Sequence, residues 1–147
     1  MSSIVLTTDL SPESERAFAP ALLLAQRLSL SIVLLAVLED LPFEPTAGGL
    51  VAVFPDRQKV HADWERRLLE VSKRLGNTVP VRTALVDASD VPRAIVDFAH
   101  KEKAAYLAMA THGRSGLRRL LLGSVAEGVL RHAHIPVIVY PPAEGTV

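Results

Sequence analysis

The chain has 147 residues, with 16 Lys plus Arg against 16 Asp plus Glu, so its formal charge at pH 7 is zero. That length fits one domain over 1–147, and 49% apolar against 22% charged residues is the composition of a chain that builds a packed core. Neutrality argues against attraction to nucleic-acid backbones or acidic lipids, and the lack of cysteine excludes disulfide frameworks, thiolate metal sites and cysteine nucleophiles.

Met1-Ser2-Ser3 lacks the basic start of a secretory signal, and the longest uncharged apolar stretch, 28–38, is far shorter than the ~20 residues of a membrane helix. A cytoplasmic location is therefore expected, with neither nucleic acid nor membrane as partner. Residues 3–8 form a β-branched apolar run that ends at Asp9. Ser11-Pro12 then reads as a capped helix start, and Phe18, Ala21, Leu22, Ala25 and Leu28 make one apolar helical stripe. Residues 32–38 are continuously apolar, which suits a strand covered on both faces in a parallel sheet.

Residues 39–55 carry Pro42, Pro45, Gly48, Gly49 and Pro55 and read as a long loop, expected to act as a flap over a site. Val60, Trp64, Leu68, Val71 and Leu75 mark the buried face of a second helix that stops at Gly76, with Trp64 assigned to the core. Val79, Val81, Thr83 and Leu85 alternate with other residues as a strand, and Pro80 points to a sheet edge. Asp90 caps a third helix through Val91, Ala94, Ile95, Phe98 and Ala99, and residues 104–110 form another buried strand. A polar loop, 111–119, follows. Gly123-Ser124 opens a fourth helix through Val125, Val129 and Leu130, and a final strand runs from Ile135 to Tyr140.

This alternation calls for an open, doubly wound parallel α/β sheet with about four helices on its two faces. Ligands of such sheets sit beyond the carboxyl ends of the strands at the point where strand order reverses, which here means the ends of strands one, two and four. Thr7-Thr8-Asp9, Ala36-Val37 and Ala110-Thr111-His112-Gly113 fall there. Gly113 permits a close turn after a strand, and Gly123-Ser124 offers free amides and a hydroxyl at a helix N-terminus, where the dipole favours anions. Together they form a candidate phosphate cradle. Asp9 suits a ribose hydroxyl, a metal or the capping of the first helix, and these remain open.

Other chemistries fit less well. Gly113-Arg114-Ser115-Gly116 lacks the spacing of a nucleophile elbow, and the loop up to Gly123 lacks the Gly-Lys-Ser/Thr ending of a P-loop. A phosphoacceptor receiver domain would want an acidic cluster after strand one and a lysine after strand five, and Asp9 and Tyr140 supply neither. His132-Ala133-His134 reads as a helix end that places imidazole near the C-terminal dipole, so no metal site is assigned.

Residues 110–139 resemble the C-terminal signature of the universal stress protein family, and the resemblance extends over nearly the whole chain. The nucleotide-binding members carry Gly, two residues, Gly, nine residues, then Gly and Ser or Thr. Gly113, the nine residues 114–122 and Gly123-Ser124 match that pattern, whereas Ala110 stands where the first Gly would lie against the nucleoside. Tyr106 and Thr7 stand where the family often has Asp and Pro.

The resemblance implies an adenine nucleotide alpha hydrolase-like sheet in the order 3-2-1-4-5, with ATP or AMP as ligand and Mg²⁺ carried by its phosphates. It further implies that Thr8 and Asp9 meet adenine or ribose, that the Val37 backbone meets the adenine edge, and that Ala110 and His112 contact the ligand. Gly113, Arg114, Gly123, Ser124 and Val125 would surround the phosphates. It also implies a homodimer paired through the Ile135 to Tyr140 strand, working as a stress-response sensor or regulator and not as a fast enzyme. Two alternatives stand beside it: a nucleotide-free dimeric interaction module of the same fold, which Ala110 favours, and a slow ATPase.

Overall fold

The computed structural model describes residues 1–40, 56–111 and 122–142. Five strands form one sheet: β1 (Ser3–Thr7), β2 (Ser31–Glu39), β3 (Val81–Ala88), β4 (Tyr106–Ala110) and β5 (Val137–Tyr140). Their spatial order is β3-β2-β1-β4-β5, and every neighbouring pair is parallel. Among the described residues four α-helices accompany them: α1 (Phe18–Leu28), α2 (Arg57–Ser72), α3 (Val91–Lys101) and α4 (Ser124–His132). Strand order, strand direction and helix number all agree with the sequence reading.

The period-2 geometry of β1 divides the core. Ile4 and Leu6 point to the face covered by Phe18, Ala21 and Ala25 of α1 and by Leu68 and Val71 of α2. Val5 points to the opposite face, where Ile95 and Ala99 of α3 meet Ala126 and Val129 of α4. Because both faces are covered, the central strands have no wet side, which is why β2 is apolar at successive positions. At the sheet edge, Val81 and Leu85 of β3 pack on the first cluster and Ala84 and Val86 on the second. Among the described residues, no helix is long and apolar enough to cross a membrane.

Three local departures from the expected elements have physical causes. The segment after Ser11 begins as a 3-10 turn over Pro12–Ala17, and α1 starts only at Phe18. Pro20 has no N–H, so the carbonyl four residues before it cannot accept an α-helical bond from that position. Leu28, expected on the buried stripe, is 45% exposed. The helix ends at Ser29, whose φ of 54° is left-handed, and the Leu30 N–H donates back to the Ala25 carbonyl at 2.8 Å. Leu30 thereby turns onto the core in place of Leu28. The last strand begins at Val137 instead of Ile135, because Pro136 carries no donor and joins the sheet only by accepting from the Leu107 N–H at 3.0 Å.

The other helix starts follow their caps. The Asp56 carboxylate accepts from the Gln58 N–H, so α2 begins three residues before Val60. The Asp90 carboxylate accepts from the Arg93 N–H and opens α3 with Pro92 in its first turn.

Candidate functional site

Beyond the carboxyl ends of β1, β2 and β4 lies a cleft of about 530 Å³. Six of the residues singled out in the sequence line it: Thr8, Asp9, Val37, Ala110, Gly123 and Val125. They come from three strand ends and one helix start, separated by up to 117 positions of chain (Thr8 to Val125), and the sheet order is what assembles them. Ser124 is exposed at the first position of α4, next to Gly123, and is not part of the cleft wall. His112, Gly113 and Arg114 lie outside the described residues, as does 41–55 of the expected flap.

The turn after β1 is organised by a chain of short hydrogen bonds. The Leu10 N–H donates to Thr8 Oγ1 at 3.1 Å, Thr8 Oγ1 and Ser14 Oγ are 2.8 Å apart, and Ser14 Oγ donates to the Ser11 carbonyl at 2.8 Å. Since Ser14 has one hydroxyl hydrogen and gives it to Ser11, Thr8 is the donor to Ser14. Thr8 and Ser14 are both buried against the cleft wall, and the relay satisfies their hydroxyls there. Leu10 holds a φ of 66°, a left-handed value that costs a non-glycine residue about 1 kcal/mol or more, and the bond to Thr8 helps hold it there.

Asp9 serves the same turn. Its Oδ1 accepts from both the N–H and the hydroxyl of Ser11 while the residue faces the cleft. The cap of the first helical segment is Ser11, whose side chain accepts from the Ser14 N–H, so Asp9 holds the turn ahead of the helix instead of capping it, with its carboxylate at the cleft edge.

On the opposite wall, α4 opens without a side-chain cap, because Gly123 occupies the N-cap position. The N–H groups of its first turn have no intrahelical acceptor and sit at the positive end of the helix dipole. Ala110 closes the floor of the cleft at the end of β4 and is almost fully buried. Beside it, the Thr111 N–H donates to the Tyr140 carbonyl at 3.1 Å, tying the exit of β4 to β5. Burial pushes the Tyr140 phenol above its ordinary pKa of 10.0.

The third wall was not read as a site in the sequence. Arg57, Val60 and Trp64 of α2 line the cleft opposite Leu38 and Glu39 of β2. Their three- and four-residue spacing is visible in the sequence, but the same spacing defines a core face, and Trp64 does also pack on the first core cluster. It therefore has two roles, one of which depends on the sheet beneath it. Arg57 also pairs with Asp40 and, at 3.2 Å, with Asp87. These groups are roughly half exposed, so the pairs orient the arginine more than they stabilise the fold. No group of three or more His, Asp or Glu among the described residues is arranged to hold a metal ion.

A parallel sheet whose order reverses between β1 and β4, with a cleft outside that point, defines the doubly wound α/β class. The profile of the universal stress protein family matches residues 1–141, and the chain belongs to that family. A universal stress protein of Methanocaldococcus jannaschii is 32% identical over 139 residues, which cover 92% of this chain and 79% of that protein. Among solved structures, a universal stress protein in complex with cAMP is similar at 22% identity and a TM-score of 0.70, over 95% of this chain and 96% of the other. The universal stress protein of Archaeoglobus fulgidus in complex with dAMP is similar at 20% identity and a TM-score of 0.66, over 95% and 97%. At such identities these two likenesses establish the shared fold alone.

Proposed function

We propose that this protein binds an adenine nucleotide, ATP or AMP, in the cleft beyond β1, β2 and β4, and acts as a cytoplasmic stress-response sensor or regulator in dimeric form. The observation that carries the reading is the joint position of the uncapped α4 N-terminus and the Thr8-Asp9 turn on one cleft. The first suits a phosphate and the second a ribose hydroxyl. Val37 on β2 offers backbone to an adenine edge, and two structural relatives are complexes with adenine nucleotides. Gly113, Arg114 and His112 belong to the proposed site through the family motif, and Ser124 adds a hydroxyl at the helix start.

Mg²⁺ enters this reading only with the nucleotide, since the described residues supply no cluster of carboxylates and imidazoles to hold it alone. When bound, it would neutralise phosphate charge. The dimer would form by pairing of β5, the outer strand next to β4, with its copy, covering an edge that otherwise exposes unpaired backbone groups.

A second reading is a nucleotide-free interaction module, and Ala110 favours it. The methyl group stands on the cleft floor, at the position where the family's binding motif has glycine. Calorimetry of ligand-stripped protein with ATP and then AMP, in the presence of Mg²⁺, decides between the two. Micromolar binding is expected. Absence of heat together with absence of thermal stabilisation at millimolar ligand would assign the protein to the nucleotide-free branch.

A further inference from the structure

We infer that Trp64 is a base-stacking residue that makes the cleft selective for ligands bearing an aromatic base. This rests on the proposed nucleotide reading and adds to it a wall, from α2, that the glycine motif does not contain. The half-buried Trp64 lines the cleft together with Val60 one turn earlier on α2 and Leu38 on β2. These two aliphatic side chains and the indole give this part of the cleft an apolar surface that suits a flat base.

Two features hold the ring ready. Its contact with the core cluster removes rotamer freedom before any ligand arrives, so little ordering cost remains to be met on binding. Arg67, three residues on, lies over the ring at 6.0 Å from its centroid, a cation–π contact that further fixes its orientation. Arg57 and Glu39 flank these apolar groups, and further polar groups of the cleft stand at Thr8 and Asp9 after β1 and at Gly123 before α4. A nucleotide with its base toward α2 and its phosphates toward α4 would match this division of apolar and polar walls.

Trp64 is the single tryptophan of the chain, so its fluorescence reports on this wall alone. The test compares AMP with ribose 5-phosphate, which has the same sugar phosphate but no base, in wild-type protein and in Trp64→Leu and Trp64→Phe variants. AMP should quench the wild-type emission. Trp64→Leu should weaken AMP binding by about tenfold, within the range that base–aromatic stacking spans. Trp64→Phe, which keeps a ring and guards against loss of folding, should weaken it less. Ribose 5-phosphate should bind equally to all three proteins and leave the emission unchanged.

If calorimetry shows AMP binding but the emission does not move and the Phe and Leu variants keep wild-type affinity, the stacking role is overturned while the nucleotide reading stands. If wild-type protein binds AMP neither by heat nor by fluorescence, both fall together. An equal loss of AMP and ribose 5-phosphate affinity in the Leu variant would also overturn the proposal, because it would mean that Trp64 shapes the cleft without reading the base.

Discussion

Gly128 in the middle of α4 lies directly against Pro92 in the first turn of α3: a Cβ added at Gly128 would stand 2.6 Å from both the Cβ and the Cγ of that proline. Proline ring atoms cannot swing away as a flexible side chain would. The absence of a side chain at Gly128 therefore sets how closely α4 approaches α3, and with it where the α4 N-terminus meets the cleft.

Gly128→Ala should accordingly be destabilising although alanine is the better helix former. The helix gains about 1 kcal/mol from the exchange, whereas overpacking costs about 1–3 kcal/mol. A net loss of about 1 kcal/mol is expected, seen as a fall of a few degrees in Tm. Calorimetry should show a parallel loss of AMP affinity as α4 is pushed outward. A variant more stable than wild type would mean that the two helices separate at no cost.

Thr8→Val tests the hydrogen-bond relay after β1. The substitution keeps the shape but removes the donor to Ser14 and the acceptor for the Leu10 N–H. Leaving buried polar groups short of partners costs about 1–3 kcal/mol. Denaturant unfolding should show that loss, and Thr8→Ser, which keeps the hydroxyl, should recover most of it. Unchanged stability in the valine variant would show that the turn is held by Asp9 and Ser11 alone.

Gly123→Val addresses the phosphate wall. The backbone there has a φ of −53°, open to any residue, so the fold should survive with at most about 1 kcal/mol lost from poorer capping. The side chain would occupy space beside the first-turn amides on the cleft wall. AMP and ATP affinity should drop more than tenfold while the ligand-free Tm stays nearly constant. Wild-type affinity in this variant would remove the α4 N-terminus from the site.

Ile138→Lys probes the outer strand. Val137 and Val139 pack on the second core cluster, so charging either would endanger the fold itself; Ile138, between them on β5, points to the other face and is half-buried. With the proposed β5-paired dimer, sedimentation velocity should show a shift from dimer to monomer for the lysine variant, with unchanged circular dichroism. A profile identical to wild type would place the interface elsewhere.

Much of this architecture was legible in the residues. Continuous apolar runs at β2 and β4, Pro80 near an edge strand and the cap at Asp90 are local signals, because strand burial, proline's missing donor and carboxylate capping act over a few residues. The motif around Gly123 likewise pointed to a helix start at a strand-end cleft, and six of the ten candidate site residues line that cleft.

Spacing alone could not distinguish the two roles of Trp64. Steps of four along α2 say that Val60, Trp64 and Leu68 share a face, and the burial of Leu68 agrees with it. Whether the upper part of that face meets core or cleft depends on how far α2 extends past the sheet. Leu28 shows the same limit from the other side, since its place on the core was taken by Leu30 only because the backbone reverses at Ser29. Asp9 reads in the sequence as ligand, cap or metal holder, and only the folded turn shows its carboxylate holding Ser11, the residue that itself caps the helix.

Order and type of the main elements, the doubly wound class and the strand ends at which a site must lie are all written in local residue patterns, because helix and strand periodicity and proline and capping chemistry are short-range. Tertiary structure alone decided which walls close the cleft and how near α4 comes to α3. Those depend on distances between residues far apart in the chain, such as Gly128 and Pro92, or Trp64 and Asp9, and packing in three dimensions sets them.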